Sequence, residues 1–541
     1  MSTRALQSPL HWLWLWAILL FALPSQAAPT QPDPAQLNAL TQIGFQFKKA
    51  IPILTALERD NGAMLLPMFQ AMLAGQLDYN RSDRQLLIRH RIDGKTVYLN
   101  PFTQQPLPDQ SAISAKKIGI NNALRIHLRD AIARLELVSH DQALQAKAAQ
   151  ELLGNTSALT LERMQQALQQ SLSSDTRHLL TLNLAMAQLK NATDNDTRMK
   201  ALAAIGTPLE PQVRNLLSQI RNTTQDPDLK AAAQQALDKI ASRTSLFHLL
   251  DQVFFGLSLG SVLLLAAIGL AITFGVMGVI NMAHGEMMML GAYTTFVIQQ
   301  ALPNAISLSL WLSLPCAFIV AGGVGILIER FVIRYLRGRP LETLLATFGI
   351  SLLLQQLVRT VFTPLNRQVA APDWMSGSLA INPVFSLTYN RLYILIFSLI
   401  VFAALILLLK KTSLGLHVRA VSQNRQMARA LGIRSDRVDA LTFGLGSGIA
   451  GIAGVALSQL TNVGPNLGQS YIIDSFMVVV FGGVGNLFGT LVAAFSLGLV
   501  NKFLEPLAGA VLAKIVILIF IILFIQKRPK GLFPQKGRAA E

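Results

Sequence analysis

Gly256-Leu-Ser-Leu-Gly-Ser-Val-Leu-Leu-Leu-Ala-Ala-Ile-Gly-Leu-Ala-Ile-Thr-Phe-Gly275 is an uninterrupted apolar stretch, and close behind it comes Ile280-Asn-Met-Ala-His-Gly-Glu286. The first stretch is long enough to cross the hydrocarbon core of a bilayer as a helix. The second sets Asn281, His284 and Glu286 against it, where polar and ionisable groups are expensive to bury. Outward from this point, apolar segments recur at about 251–275, 284–301, 308–333, 342–363, 389–409, 438–461, 471–484, 487–503 and 508–526. The expected fold class is therefore all-α, a polytopic transmembrane helix bundle of about eight or nine spans. Glycines crowd the runs (Gly256, Gly260 and Gly269; Gly322 and Gly325; Gly444, Gly448 and Gly451). Small residues at such spacing let helices approach closely where lipid supplies no hydrophobic drive.

The 541 residues are 52% hydrophobic and only 14% charged, with a mean hydropathy of +0.43, which is too apolar for an ordinary soluble chain. A net charge of +17 would ordinarily raise nucleic acid as a partner. Residues 246–541, however, hold 21 Lys/Arg against 10 Asp/Glu, and the basic residues gather between apolar runs: Arg330 to Arg339, Lys410 to Arg437, and Lys527 to Arg538. They read as cytoplasmic topology determinants, with no nucleic acid implied. Nine crossings counted back from a cytoplasmic C-terminus place Asp251 outside. The two short segments at 471–484 and 487–503 must then both cross, or one must be a re-entrant hairpin beside a span.

Met1 to Ala28 reads as a signal peptide, with Arg4 before an apolar Trp12–Leu23 stretch and small residues before Pro29; an uncleaved anchor is the other reading. Residues 29–245 would then be a periplasmic, mostly helical domain preceding the 246–541 transmembrane domain. Within it, Leu86-Leu87-Ile88 and Val97-Tyr98-Leu99 flank Asp93-Gly94, the signature of one short β-hairpin. Short Ala/Leu-rich helices follow, separated by polar turns such as Ser173-Ser174-Asp175 and Asn195-Asp196. Asp226 to Ile240 resembles half of a HEAT repeat. His90, His127, His140 and His178 do not stand at metal-ligand spacing.

Two polar interruptions carry the functional expectations. Asn281, His284 and Glu286 either line a substrate pathway and shape its turn, or form a polar turn at the headgroups. Asp474 and Gly482-Gly483-Val-Gly485-Asn486 form the second break; Asn486 either hydrogen-bonds a polar solute or caps the helix beginning near Leu487. The stretch Lys410 to Ile433 is too polar to cross. Its Val418, Val421, Met427, Ala428 and Leu431 suggest short helices with an apolar side, ended by Gly432 and suited to a groove on a partner protein.

At these residues the chain resembles the permease subunits of ABC importers in the branched-chain amino-acid uptake family, over about 290 residues from Asp251 onward. The matching stretches are Gly256-Leu-Ser-Leu-Gly-Ser261, Ile280 to Glu286, Ser413-x-x-Gly-x-x-x-Arg-Ala420 continuing to Gly432-Ile433, and Arg528-Pro-x-Gly-Leu-Phe533. The resemblance implies that Ser413, Gly415, Arg419, Ala420, Asn424, Ala428, Leu431 and Gly432 belong to the segment that couples to an ATPase. Within the family, the long N-terminal domain and Gly464 to Ser475 look most like the urea-transporting branch, and urea as solute rests on that likeness alone. A neutral solute of that kind would suit the amide and hydroxyl groups of Asn281, Asn486, Ser258 and Ser261.

No Gly-x-x-x-x-Gly-Lys-Ser/Thr loop occurs, so the chain is expected to be a transport subunit without cofactor, and ATP would be used by partners. The implied partners are a second homologous permease, two cytoplasmic ATPase subunits, a periplasmic solute-binding protein and the lipid of a bacterial inner membrane. Three other readings stay open: a permease for branched-chain or other amino acids, a membrane-anchored scaffold or sensor, and a passive channel.

Overall fold

The computed structural model describes residues 47–92, 95–108 and 113–533. The expected signal peptide and the Asp93-Gly94 turn fall outside them. The described residues are mostly helical and divide into two compact units whose boundary lies between Lys239 and Ile240.

In the first unit, α1 (Phe47–Asn61) and α2 (Leu66–Leu73) precede the strands β1 (Leu77–Asn80), β2 (Leu86–Ile92), β3 (Lys95–Leu99) and β4 (Ala115–Lys117). The expected hairpin is β2–β3, paired antiparallel from Ile88↔Leu99 to Ile92↔Lys95. It belongs to a larger antiparallel sheet of order β3-β2-β1-β4, because Leu77-Asp-Tyr-Asn80 pairs with both β2 and β4. Six helices follow: α3 (Asn122–Leu137), α4 (Gln142–Glu151), α5 (Ala158–Leu168), α6 (Ser174–Asn191), α7 (Asn195–Ile205) and α8 (Pro211–Thr223). Asn121, Asp141, Ser157, Ser173 and Asp194 cap α3 to α7 in turn, each side chain accepting a first-turn N–H.

Leu54, Leu57, Met68, Phe69, Leu124 and Leu128 form the core under the sheet. Into its margin the chain buries an ion pair. Arg134 donates from Nε and Nη2 to the two carboxylate oxygens of Glu58, both at 2.7 Å, and from Nη1 to Thr160. The guanidinium is 4% exposed and the carboxylate 0%. Removing one partner strands the other charge in an apolar setting, so Arg134→Ala is expected to destabilise this unit by about 3–5 kcal/mol. Arg134→Met together with Glu58→Leu should cost far less. Urea-dependent pulse proteolysis of the detergent-solubilised full chain, read on first-unit fragments, measures both, and equal losses would contradict the argument.

α9 (Pro227–Met277) takes in residues 227–240 of the stretch likened above to half a HEAT repeat and also the first apolar segment. The second unit then holds α10 (His284–Ala301), α11 (Ile306–Phe331), α12 (Pro340–Phe362), a small hairpin of β5 (Ser378–Ala380) with β6 (Ser386–Thr388), and α13 (Tyr389–Lys411). Two short helices follow, α14 (Ser413–Gln423) and α15 (Arg425–Ala430), then α16 (Ser435–Ser458), α17 (Leu467–Gly482) and α18 (Leu487–Lys527). α18 is two helices in one: Gly509 adopts φ 80°, a left-handed value that ends the helix three residues after Pro506. All nine apolar segments of the sequence are helical. Six described helices are long and apolar enough to cross a membrane; α17, at 16 residues, is shorter than a full span.

The bundle has a basic end and an opposite end. Met277, Arg337, Arg425 and Arg429 surround one cavity, which places the end of α9 beside the start of α16. α9 and α16 therefore run in opposite senses. Each is followed by a break, a short helix and a further long helix: α9, 278–283, α10, α11 in one case and α16, 459–466, α17, α18 in the other. This is the pattern of an inverted repeat.

Candidate functional site

The two short helices start inside the bundle. His284 Nε2 lies 3.0 Å from the carbonyl of Ala266, eleven residues before the end of α9 at Met277. At about 1.5 Å per residue that is roughly 16 Å from the helix end, about half of a hydrocarbon core. The start of α17 meets it there: a Cβ added at Gly285 would lie 2.6 Å from the carbonyl oxygen of Gly468, and one added at Gly468 would collide with the carbonyl of Gly285. Only glycine at both positions permits this backbone approach.

The break before α10 satisfies its own backbone. Asn281 Oδ1 accepts the N–H of Ala283 at 3.0 Å, its carbonyl accepts that of His284, and Thr347 Oγ1 accepts that of Met282 at 3.2 Å. Asn281 is thus a turn former, with its Nδ2 left unpartnered in the interior among the described residues. Glu286 Oε1 accepts from Ser351 Oγ at 2.9 Å and Gln355 Nε2 at 2.8 Å, while Oε2, equally buried, has no partner there. All three expected residues are interior, at 0–1% exposure, so the headgroup reading of this turn does not hold.

Ser351 and Gln355 belong to a polar ladder on α12. Thr343, Thr347, Ser351, Gln355 and Arg359 recur every fourth residue on the inward-turned surface of a largely apolar helix. Its lower rung, Thr343, lines the basic-end cavity of about 480 Å³. At its upper rung Arg359 Nη2 donates to Asn466 Oδ1 at 2.7 Å, and Asn466 lines a cavity of about 540 Å³ at the opposite end. The ladder joins the two cavities across the level of Gly285 and Gly468.

The opposite-end cavity is walled by Ser258, Leu259, Val262, Arg391, Asn466 and Tyr471, with Asp474, Lys502, Glu505 and Lys514 at its charged side. Asp474 pairs with Lys514 at 3.0 Å and Glu505 with Lys502 at 2.5 Å. Arg391 has no carboxylate partner among the described residues; it approaches Ser258 Oγ at 3.4 Å and stacks over the Phe255 ring at 4.8 Å. Ser261 points its hydroxyl into its own helix, donating to the Ser258 carbonyl at 2.7 Å.

Of the two readings of Asn486, the cap holds, and the place of the second break is corrected. Asn486 is the cap of α18: its Oδ1 accepts from Gly489 N–H at 3.1 Å and its Nδ2 donates to the Phe533 carbonyl at 3.1 Å, so the closing Arg528–Phe533 segment occupies the amide. The second membrane-depth break is 459–466, whereas Gly482 to Asn486 turns at the basic end. The apolar residues of α14 and α15 do not all face outward. Val418, Val421 and Ala428 pack inward with Val438, and Leu416, Met427 and Leu431 are the exposed apolar residues. Gly415 is buried against the end of α13, where Arg419 donates to the Leu409 carbonyl. Asn424 caps α15 by accepting Met427 N–H at 2.9 Å, and Gly432, φ 86°, ends it; Ser413, Arg419 and Asn424 stay exposed and Ala420 half-buried.

With this geometry in place, the sequence profile of the branched-chain amino-acid transport system permease component family matches residues 252–525. The chain belongs to that family. It is similar to the high-affinity branched-chain amino-acid transport system permease protein LivH of Salmonella typhimurium, 33% identical over 53% of this chain and 95% of the relative. LivH of Escherichia coli K12 is 32% identical over the same shares, and BraD of Pseudomonas aeruginosa 30% identical over 53% and 96%. No solved structure matches. The chain is a membrane-embedded permease component and not an enzyme, and its first unit lies outside the family match.

The ladder was missed from sequence, although its four-residue recurrence is readable there. Gly285→Ala or Gly468→Ala is expected to lower transport at least about tenfold by forcing the two backbones apart, since the colliding atoms are main chain and have no rotamer to escape into. Gly323→Ala, at a glycine with nothing within 4 Å of an added Cβ, should transport normally. Uptake assays normalised to membrane protein level decide it.

Proposed function

We propose that this chain is the membrane-spanning permease subunit of a binding-protein-dependent, ATP-driven importer, and that its solute is an amino acid with a small apolar side chain. The carrying observation is Arg391. Of the cations at the opposite-end cavity, Lys502 and Lys514 have carboxylate partners and Arg391 has none among the described residues. A guanidinium so placed suits a solute carboxylate. Leu259, Val262, Leu460 and Leu467 on the same wall suit an aliphatic side chain. The curated relatives named above are branched-chain amino-acid permeases, which points the same way.

In this reading the basic end is cytoplasmic, by the positive-inside rule, and the Arg391 cavity opens outward to receive solute from a periplasmic binding protein. A second homologous permease covers the apolar outer faces of the bundle, and two ATPases dock on α14 and α15. The first unit is periplasmic, its helices α3 to α8 stacked as degenerate HEAT-like repeats that hold the binding protein near the cavity and raise its effective concentration. Urea is the second reading. It is favoured by the amides of Asn366, Asn462, Asn466 and Asn501 at the cavity, which offer both donors and acceptors to a neutral solute.

The test is ATP-dependent uptake of labelled leucine and labelled urea into proteoliposomes holding the complete transporter with its binding protein. Leucine uptake is expected, and Arg391→Gln should lower it about 10- to 100-fold, the equivalent of about 1.5–3 kcal/mol for a hydrogen bond to a charged group. Urea uptake without leucine uptake, unchanged in Arg391→Gln, would replace the amino-acid reading with the urea one.

A further inference from the structure

At the basic end, two arginines from different parts of the chain share one buried carboxylate. Arg425, on α15, donates to Asp439 at 2.5 and 3.0 Å. Arg337, in the turn between α11 and α12, reaches the same Asp439 Oδ2 at 2.6 Å while also holding Glu329 at 2.8 Å and Asp436 at 2.7 Å. Asp439 is 0% exposed and Glu329 1%. The two buried carboxylates, Asp439 and Glu329, are matched by Arg337 and Arg425, and the more exposed Asp436 is shared with Arg334 and Arg429. The ordinary explanation is that it simply holds the end of the bundle together.

Its connections go further than that. α15 carries the exposed Met427 and lies next to the exposed Leu431, the surface assigned above to the ATPase. Arg337 stands six residues before Thr343, the lower rung of the polar ladder. Asp439 is on α16, whose glycines pack on α10 and α11. We propose that Asp439 is a positioning residue for coupling: it relays displacement of the docking helix α15 to α16 and to the α11–α12 turn, and so to the ladder and the Gly285–Gly468 contact. This rests on the importer reading.

The physical reason is the cost of separating buried charges. If α15 moved alone, Asp439, itself 0% exposed, would lose a bidentate partner, so α15, α16 and the Arg337 turn are held to move as one body. The neighbouring pairs Arg334–Asp436 and Arg429–Asp436 are 40–54% exposed and carry little of this constraint. In Asp439→Asn the two arginines lose the shared charge while the side-chain shape is retained.

The experiment compares Asp439→Asn, Arg425→Lys and Arg334→Ala in the complete transporter in proteoliposomes, reading basal ATP hydrolysis, its stimulation by loaded binding protein, uptake, and co-purification of the ATPase. Asp439→Asn is expected to keep its ATPase and its basal hydrolysis within about twofold, and to lose stimulation and uptake at least about tenfold. Arg425→Lys, which keeps the charge without the fork, should fall between Asp439→Asn and the unchanged chain, and Arg334→Ala, which removes only an exposed pair away from the docking helices, should stay near the unchanged chain. Normal stimulation and uptake in Asp439→Asn would overturn the relay. So would loss of the ATPase from both Asp439→Asn and Arg425→Lys, because the cluster would then serve docking alone. Absence of ATP-driven uptake in the unsubstituted transporter would instead bring down the importer reading, and the relay with it.

Discussion

The backbone contact between Gly285 and Gly468 is the constraint around which the second unit is arranged. A helix that begins at mid-depth presents first-turn N–H groups where no water can satisfy them, and irregular backbone survives at that depth only when protein surrounds it. Here two such helix starts face one another. The chain satisfies the break before α10 from within, through Asn281 and Thr347. It covers both breaks with long helices, whose small residues bring the backbones together: a Cβ at Gly446 would lie 2.7 Å from the Gly269 carbonyl. The oppositely running pairs α9–α10 and α16–α17 are the topology that brings two helix N-termini to one depth from opposite ends.

The same requirement explains the ladder. A helix of Leu, Ile and Phe carrying Thr343, Thr347, Ser351, Gln355 and Arg359 on one side would be costly against lipid, since each polar group would need a partner that hydrocarbon cannot offer. Turned toward the broken segments, that side supplies the groups the breaks need: a hydroxyl for Met282 N–H, two donors for Glu286, a guanidinium for Asn466. The opposite side, with Leu341, Leu345 and Leu353, is left exposed and apolar. One helix thus serves both as partner to the interior and as outer wall.

Much of this was legible in the sequence, and the parts that were not have physical reasons. Long apolar runs show as spans because composition decides them, and the nine segments are helices. The β2–β3 hairpin was readable from its turn and alternation, but β1 and β4 were not, because a strand three or four residues long owes its existence to neighbours rather than to local pattern. The break at 459–466 was misplaced to Gly482–Asn486, where glycines are denser; a glycine-rich turn looks alike whether it faces water or the bundle centre. At α14 and α15 the apolar residues were correctly read as amphipathic. Which of them face a partner depends on what α16 covers, and Val438 takes Val418, Val421 and Ala428.

In the permease proposed above, a contact made of two backbones also limits how a path could open. Side-chain gates open by rotamer changes costing little, whereas Gly285 and Gly468 have no side chains to rotate, so opening requires displacement of whole helices. The packing around them is of a kind that permits this, since helices that meet through small residues gain mainly dispersion and can slide or part without exposing large apolar side chains to water. The opposite end has open cavity volume, and its Lys502–Glu505 pair lies within one helix and so does not tie that helix to a neighbour. Stiff, buried charge pairing lies instead at the basic end, around Asp439 and Glu329. In the proposed transporter, a force applied at the basic end would therefore be transmitted inward through these buried pairs, while the cavity end would adjust around the solute.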